Sequence, residues 1–169
     1  MQTDKKIISY RKLASKLSHI RRGKKVVVAT GIFDLFHTGH LMFLDFAKRQ
    51  GNILVVGVGS DRTVKLYKGD ARPVIPEALR MRLIAGLSIV DFVVLLDEDP
   101  IDQIGGREFF QIVRPDIWVV PFRDHNPKGV QKFARELKTH LVRNPRITPG
   151  RVSFPLSTTY LIDKIRKMK

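Results

Sequence analysis

The segment VVVATGIFDLFHTGHLMFLDFAK (residues 26–48) decides the fold of this chain. It opens as a run of β-branched and small apolar residues, which is typical of a strand that is buried on both faces. It ends with Leu41, Leu44 and Ala47 at helical spacing, so the same segment also predicts a helix with one apolar face. A short polar turn that starts at Gly31 separates the two parts. The segment therefore predicts a strand, a turn and a helix in direct succession.

The rest of the chain repeats this alternation. Continuous apolar runs predict strands over 25–30, 53–59, 91–96 and 117–120, and a short fifth strand over 151–154. Helical patterns occupy 76–87, 101–113, 130–142 and 157–167, and an amphipathic helix leads the chain over 7–21. Buried strands that alternate with helices indicate a parallel sheet with right-handed crossovers. We therefore predict a Rossmann-like, doubly wound α/β fold, with five parallel strands and helices on both faces.

The size and composition fit a single domain. The chain has 169 residues, of which 43% are hydrophobic, and this is enough for one core. We assign residues 1–24 to the leading helix and 25–169 to the core. Cysteine is absent, which excludes disulfides, cysteine-ligated zinc and a thiol nucleophile. No apolar run approaches the roughly 20 residues of a membrane span, and the first residues lack a signal-peptide core, so a cytoplasmic location is expected.

The formal net charge of +15 is concentrated at the two ends of the chain. Residues 1–25 contain nine Lys or Arg and one acid, and residues 121–169 contain twelve and three. Residues 26–120 contain ten and twelve, so the middle is close to neutral. Basic ends of this kind attract nucleic acid, or they surround a site for polyanionic small molecules. The sequence has no zinc-finger spacing or RNA-binding signature that would favour nucleic acid.

Two histidines flank the start of the helix in the opening segment. His37 and His40 are three residues apart and lie on one helical face, with Gly39 between them. A helix N-terminus offers free N–H groups and the positive end of the helix dipole, and glycine lets a phosphate approach the backbone. Donors fixed there stabilise the charge that develops on phosphate oxygens during phosphoryl transfer. Half of a metal site, or two structural residues at a turn, are the alternatives, and the context favours phosphate chemistry.

The motif Gly31-x-Phe33-Asp34-x-x-His37-x-Gly39-His40 resembles the signature of the cytidylyltransferase-like nucleotidyltransferases. Further segments match this family in the same order: Asp61 after the second strand, KLYKGDARPVIPEALRMRLIAGLSIVDFVV at 65–94, and STTYLIDKI at 157–165. The leading segment KIISYRKLASKLSHIRRGKKVVVATG is similar to the start of the heptose-1-phosphate adenylyltransferases. That branch of the family is the closest in pattern.

The resemblance implies nucleotidyl transfer, in which a phosphorylated small molecule attacks the α-phosphorus of a nucleoside triphosphate and pyrophosphate leaves. It implies catalytic roles for His37, His40 and Lys68. Nucleotide binding would fall to the two histidines and to loop and cap residues, namely Gly31, Ile32, Phe33, Gly39, Ser157, Thr158 and Thr159. Acceptor binding would fall to Asp34, Asp61, Lys65 and Arg80. Mg²⁺ would accompany ATP or CTP, bound mostly by phosphates and water, and no protein ligand is assigned to it.

Several of these residues also have a purely local interpretation. Asp34 and Asp61 are able to bond nearby backbone N–H groups, as aspartate readily does. Arg80 fits a surface position on its helix. The acidic turn that contains Asp97 and Glu98 fits a solvated loop as well as a contact with magnesium or sugar hydroxyls.

Segments 121–125 and 153–156 differ from the family pattern, so the sequence leaves the nucleotide and the acceptor open. Adenylyl transfer to a sugar 1-phosphate such as heptose 1-phosphate is the leading hypothesis. A glycerol-3-phosphate cytidylyltransferase and an FMN adenylyltransferase-like activity are alternatives. A non-catalytic nucleotide- or nucleic-acid-binding module is the alternative from another class. A homodimer is a further expectation.

Overall fold

The computed structural model describes residues 2–98, 106–122, 126–145 and 157–168. Within these ranges the chain forms five strands and seven α-helices. No helix among the described residues combines the length and the apolar composition that a membrane crossing requires.

The strands form one parallel sheet. They span Val26–Gly31 (β1), Ile53–Gly59 (β2), Phe92–Leu96 (β3), Ile117–Val120 (β4) and His140–Arg143 (β5). Their order across the sheet is β3-β2-β1-β4-β5, and each neighbouring pair is parallel. The chain winds outward from β1 in both directions, so a topological switch point lies at the carboxyl ends of β1 and β4. The predicted five-stranded parallel sheet is confirmed.

One or two helices lie between consecutive strands. They span Tyr10–Ile20 (α1), Thr38–Lys48 (α2), Asp61–Lys68 (α3), Glu77–Ala85 (α4), Arg107–Val113 (α5), Pro127–Glu136 (α6) and Thr158–Arg166 (α7). Side-chain caps begin four of them, because Ser9, Ser60, Asn126 and Ser157 each accept the backbone N–H of the third residue on. Such caps satisfy donors that the first turn of a helix leaves unpaired.

Alternate residues of the strands build two hydrophobic clusters, one on each face of the sheet. On one face Trp118 of β4 packs against Phe110 of α5, with 4.4 Å between the ring centroids, and Phe133 of α6 completes the aromatic group. On the other face Leu44 of α2 and Ile84 of α4 are fully buried against the sheet. Helices on both faces are therefore confirmed, and Trp118 lies in the core between the sheet and α5.

The leading helix is shorter than its predicted span of 7–21. It begins at Tyr10, because Ile7 pairs with Val93 of the edge strand β3 in a parallel bridge. The Ile8 N–H donates to the Val93 carbonyl at 3.0 Å. The segment before α1 thereby covers strand backbone that would otherwise be an open sheet edge.

The fifth strand lies in a different segment from the predicted one. The prediction at 151–154 falls outside the described residues, and β5 overlaps the end of the helix predicted over 130–142. That helix prediction is wrong beyond Glu136. Lys138 has a left-handed backbone with φ of 56°, which a right-handed helix cannot contain, and the chain then turns into the strand.

The helix α3 is not among the elements predicted from the sequence. This helix begins after Ser60, whose hydroxyl accepts the Thr63 N–H at 3.1 Å. A serine directly after a strand is the cap signal that identifies it, but the helix is only eight residues long and carries few apolar residues. Of the helix predicted over 101–113, the part from Arg107 lies within the described residues. The remaining predicted helices agree with the structure to within one or two residues at each end.

Replacing Phe110 with alanine should lower the free energy of unfolding by about 3–5 kcal/mol, because its ring is fully buried beside Trp118 and Phe133. Urea denaturation followed by circular dichroism measures the change. Leu66→Ala is the control, since Leu66 is 65% exposed and its truncation should matter by less than about 0.5 kcal/mol. Equal losses in the two variants would contradict the assignment of Phe110 to the core.

Candidate active site

The loop between β1 and α2 is tightly folded at the carboxyl edge of the sheet. Phe33 and Leu35 have positive φ angles of 55° and 43°, which are uncommon for residues with side chains. The Phe33 ring lies over Gly31, where an added Cβ would come within 2.9 Å of the ring. This packing favours glycine at position 31, since a Cβ there would push the Phe33 ring aside. Strained loops persist only where their surroundings fix them, and they concentrate at functional sites.

His37 and His40 lie together at the N-terminus of α2. Their rings are stacked with centroids 3.8 Å apart, and the rings of Phe33 and Phe36 lie 5.4 and 5.5 Å from that of His40. Nδ1 of His40 accepts the His37 backbone N–H at 3.4 Å, which leaves the proton of a neutral His40 ring on Nε2. Both ring nitrogens of His37 are buried, and neither has a hydrogen-bond partner among the described residues.

Both histidines are held in the neutral form. Burial, aided by the neighbouring His37, lowers the pKa of His40 from 6.5 to about 4, while Asp34 acts in the opposite direction. Burial also lowers the pKa of His37 below 6.5. The stacked pair therefore offers N–H donors without a fixed positive charge. Phosphate oxygens beside the rings would favour protonation, since an opposite charge stabilises the charged form.

Asp34 fixes the segment that precedes α4 to this loop. Its carboxylate is buried and forms an ion pair with Arg72 at 3.1 Å. It also accepts the backbone N–H groups of Leu35, Val74 and Ile75 at 3.1, 3.0 and 2.9 Å. The local role that the sequence suggested for Asp34 is therefore present. Its contact with an acceptor substrate stays a prediction.

The N-terminus of α7 reaches the same loop. The Thr158 hydroxyl donates to the backbone carbonyl of Asp34 at 2.8 Å, across 124 positions of sequence. The Ser157 hydroxyl accepts the Tyr160 N–H at 3.1 Å and caps the helix, while Thr159 is exposed. The structure thus brings together the two helix N-termini that the sequence singled out. Two of the three predicted hydroxyls already have protein partners, so their contribution to phosphate binding stays a prediction.

The predicted acceptor-binding residues and the predicted catalytic Lys68 differ in exposure. Lys65 and Lys68 lie at exposed positions of α3. Arg80 has a side chain that is only 1% exposed, and its guanidinium pairs with Asp61 at 2.6 Å. The surface position considered for Arg80 is therefore wrong, and its predicted contact with a phosphate is untested.

The acidic turn after β3 has structural partners. Hydrogen bonds from Ser60 and Arg62 lower the pKa of Asp97, which forms an ion pair with Arg62 at 3.2 Å. Glu98 accepts two backbone N–H groups at the start of α5, at 2.8 and 3.1 Å. In the part of the chain that the structure describes, His, Asp and Glu side chains form no group of three or more that suits a metal ion.

Arg72, the ion-pair partner of Asp34, is not among the site residues predicted from the sequence. An Arg-Pro pair inside the family-like segment 65–94 was the available signal, but Asp34 and Arg72 are 38 positions apart and only the fold brings them together. Of the segments that differ from the family pattern, 123–125 and 153–156 lie outside the described residues. Phe122, which is described, is 49% exposed.

The parallel sheet and the helix N-termini at its carboxyl edge define a Rossmann-like α/β domain. The family model described as cytidylyltransferase-like matches residues 28–164. The chain belongs to the cytidylyltransferase-like family.

Curated relatives cover nearly all of this chain but are much longer. The bifunctional protein HldE of Helicobacter pylori (strain HPAG1) is 40% identical over 169 residues, which is 98% of this chain and 32% of the relative. The bifunctional protein HldE of a Nitratiruptor species is 45% identical over 154 residues, or 91% of this chain and 30% of the relative. The chain thus spans about a third of the length of the curated relatives it matches.

Solved structures share the fold. The lipopolysaccharide core biosynthesis protein from Thermoplasma volcanium GSS1 has a TM-score of 0.64 and 28% identity, and the match covers 75% of this chain and 100% of that one. The pantoate-beta-alanine ligase from Francisella tularensis also has a TM-score of 0.64, over 95% of this chain and 77% of that one. Its identity is 13%, so this second likeness concerns the fold alone.

Titration of the ligand-free protein by NMR should give His40 a midpoint near pH 4, as its burial requires. The unfolded chain binds this proton more readily between pH 6.5 and 4, so the free energy of unfolding should fall as the pH drops through that window. His40→Gln should flatten this dependence. Tripolyphosphate should raise the midpoint of His40, and an unchanged midpoint would argue against phosphate beside the ring.

Thr158→Val should loosen α7, because this helix has no buried residue and the Thr158 hydroxyl connects it to the β1–α2 loop. Loss of one hydrogen bond should speed amide exchange in α7 by roughly fivefold to tenfold, which hydrogen-exchange mass spectrometry measures. Thr158→Ser keeps the hydroxyl and is the matched control. Identical exchange in the Val and Ser variants would show that the bond does not hold the helix.

Proposed function

We propose that this protein joins a nucleoside triphosphate to a phosphorylated small molecule and releases pyrophosphate. In its most specific form, the proposal is adenylyl transfer from ATP to a sugar 1-phosphate such as heptose 1-phosphate. A cytoplasmic location belongs to the same proposal, because the cytoplasm supplies the nucleoside triphosphate.

The observation that carries the proposal is that the N-termini of α2 and α7 lie at the same edge of the sheet. The 2.8 Å bond from Thr158 to the Asp34 carbonyl joins the N-terminus of α7 to the loop that leads into α2. Each helix N-terminus favours one anionic group. Two of them at one sheet edge suit a chain of linked phosphates better than a single phosphate. The two neutral histidines lie at the first of these N-termini, where N–H donors would meet the α-phosphate.

The proposed step needs positioning and charge stabilisation, not a protein nucleophile. An oxygen of the acceptor phosphate attacks the α-phosphorus and forms a new P–O bond. The bond from the α-phosphorus to the oxygen that bridges it to the β-phosphorus breaks, and that oxygen leaves as part of pyrophosphate. The Nε2–H of His40 and a ring N–H of His37 donate to the α-phosphate oxygens as charge develops. Lys65 and Lys68 supply positive charge from α3.

Mg²⁺ enters this proposal bound to the nucleotide. The side chains predicted to bind the triphosphate at the starts of α2 and α7 are imidazoles and hydroxyls, and the nearby Asp34 carboxylate already has four donors. These residues suit phosphate oxygens and leave the metal to the phosphates and water. The ion would supply additional neutralisation of the triphosphate charge.

The choice of a sugar phosphate as acceptor draws on the relatives. The matched part of the bifunctional HldE proteins corresponds to nearly the whole of this chain. The structural neighbour from Thermoplasma volcanium is named for lipopolysaccharide core biosynthesis, and assembly of a saccharide core consumes activated sugars. The candidate site of this chain would activate a sugar 1-phosphate by joining it to a nucleotide.

A screen of each nucleoside triphosphate against a panel of acceptors tests the proposal. With Mg²⁺ present, ATP and heptose 1-phosphate should give pyrophosphate and a conjugate that mass spectrometry identifies. A product from CTP with glycerol 3-phosphate, or from ATP with FMN, would move the assignment to those alternatives. Absence of pyrophosphate with every pair, together with steeply salt-dependent RNA or DNA binding in a filter assay, would favour the non-catalytic module instead.

Replacing His37 or His40 with alanine should reduce turnover by about a hundredfold or more, because each change removes a donor to the developing charge. His19→Ala is the control, since His19 is exposed on α1. Circular dichroism should show an intact fold in all three variants. Turnover that survives in His37→Ala and His40→Ala would exclude the roles assigned to them.

A further inference from the structure

The structure assigns to Asp34 and Arg80 a joint positioning role. We propose that these two buried side chains clamp the segment 72–75 and the start of α3 onto the β1–α2 loop, and so set the acceptor side of the site relative to the nucleotide side. The kinetic part of this inference rests on the proposed function, whereas its structural part does not.

The Arg80 guanidinium contacts the ends of three chain segments. Nε donates to the Ile75 carbonyl and Nη2 donates to the Gly59 carbonyl, both at 2.8 Å. Nη1 donates to the carbonyl of Ile32 in the β1–α2 loop. Nη2 also pairs with the Asp61 carboxylate at 2.6 Å. One side chain therefore connects three segments: the loop after β1, the end of β2 and the segment that leads into α4.

Asp34 holds the same segment from the opposite side. Its carboxylate accepts the N–H groups of Val74 and Ile75, while the Arg80 guanidinium donates to the Ile75 carbonyl. Ile75 is thus bonded at both backbone groups, one to each member of the clamp. The ion pair between Asp34 and Arg72 adds a fourth contact to residues 72–75.

The clamp extends to both predicted halves of the site. On the nucleotide side, the Thr158 hydroxyl at the start of α7 donates to the Asp34 carbonyl. On the acceptor side, Asp61 begins α3, and its N–H donates to the Glu77 carboxylate at 2.6 Å. α3 carries the exposed Lys65. A continuous path of hydrogen bonds therefore links the first residue of α7 to the helix that presents the lysines.

The chemistry of this network requires arginine. A buried cation must be paired and hydrogen-bonded, and here one guanidinium satisfies three carbonyls and one carboxylate that lie in different directions. A lysine ammonium has three donors on a single atom and lacks the planar fork, so a lysine side chain at this position could not reach all four acceptors. Arg80→Lys therefore keeps the charge and removes the geometry.

Arg80→Lys and its control Arg82→Lys, an exposed position on the same helix, test the clamp. In the ligand-free protein, exchange of the Val74 and Ile75 amides should become roughly tenfold faster in Arg80→Lys and stay unchanged in Arg82→Lys. In the enzyme assay, KM for the acceptor should rise roughly tenfold in Arg80→Lys, with KM for the nucleotide within about threefold of the parent. The nucleotide side changes less because Asp34 and Thr158 keep their mutual bond.

Unchanged amide exchange in Arg80→Lys would overturn the clamp. So would a loss of kcat in proportion to the folded fraction with both KM values unchanged, since that pattern belongs to a purely structural residue. If Arg80→Lys does not fold, Asp61→Asn, which removes the charge of the partly exposed partner of Arg80, must speed exchange of the Ile75 amide in the ligand-free protein for the clamp to stand. If the parent protein turns over no substrate pair, the proposed function fails, and the exchange experiment still decides the clamp.

Discussion

The carboxylate of Asp34 is the group on which the geometry of the site depends. A carboxylate that is 4% exposed is stable only when donors replace the water it has lost, and the chain supplies one guanidinium and three backbone N–H groups. These donors come from two loops that are distant in sequence. Satisfying one buried charge therefore folds both loops against the carboxyl edge of the sheet. The positive φ angles of Phe33 and Leu35 are tolerated because the same contacts hold the loop in place.

The sequence predicts the parts of the structure that depend on local pattern. Continuous apolar runs identify β1 to β4 because strands buried on both faces carry little else. β5 is missed because its burial is partial and its four residues follow a helix with no glycine or proline to mark the boundary. Lys138 has a left-handed backbone just after the end of α6, but its identity does not mark the boundary of the helix. Lysine rarely adopts this conformation, so its presence in a sequence does not predict it.

The candidate site shows the same division between local pattern and tertiary contact. The two histidines are identifiable from spacing because a helix N-terminus is a local feature. Their neutrality is not, since the pKa of His40 depends on burial by residues brought there by the fold. The interior position of Arg80 and its bonds to Ile32 and Gly59 are equally invisible in the sequence. An arginine on a helix is usually solvated, and only tertiary structure reveals a buried one.

The bridge between Ile7 and Val93 bears on how this chain avoids association through its sheet. A parallel sheet with two free margins is able to recruit strands from neighbouring molecules, above all while folding is incomplete. Here residues 6–8 pair with Val93 at the margin formed by β3. At the other margin β5 is four residues long and ends in the exposed His140 and Arg143. A short strand with charged or polar ends is a poor template for another strand. The described sheet is therefore protected at one edge by the segment that pairs with Val93, and at the other edge by the shortness of β5.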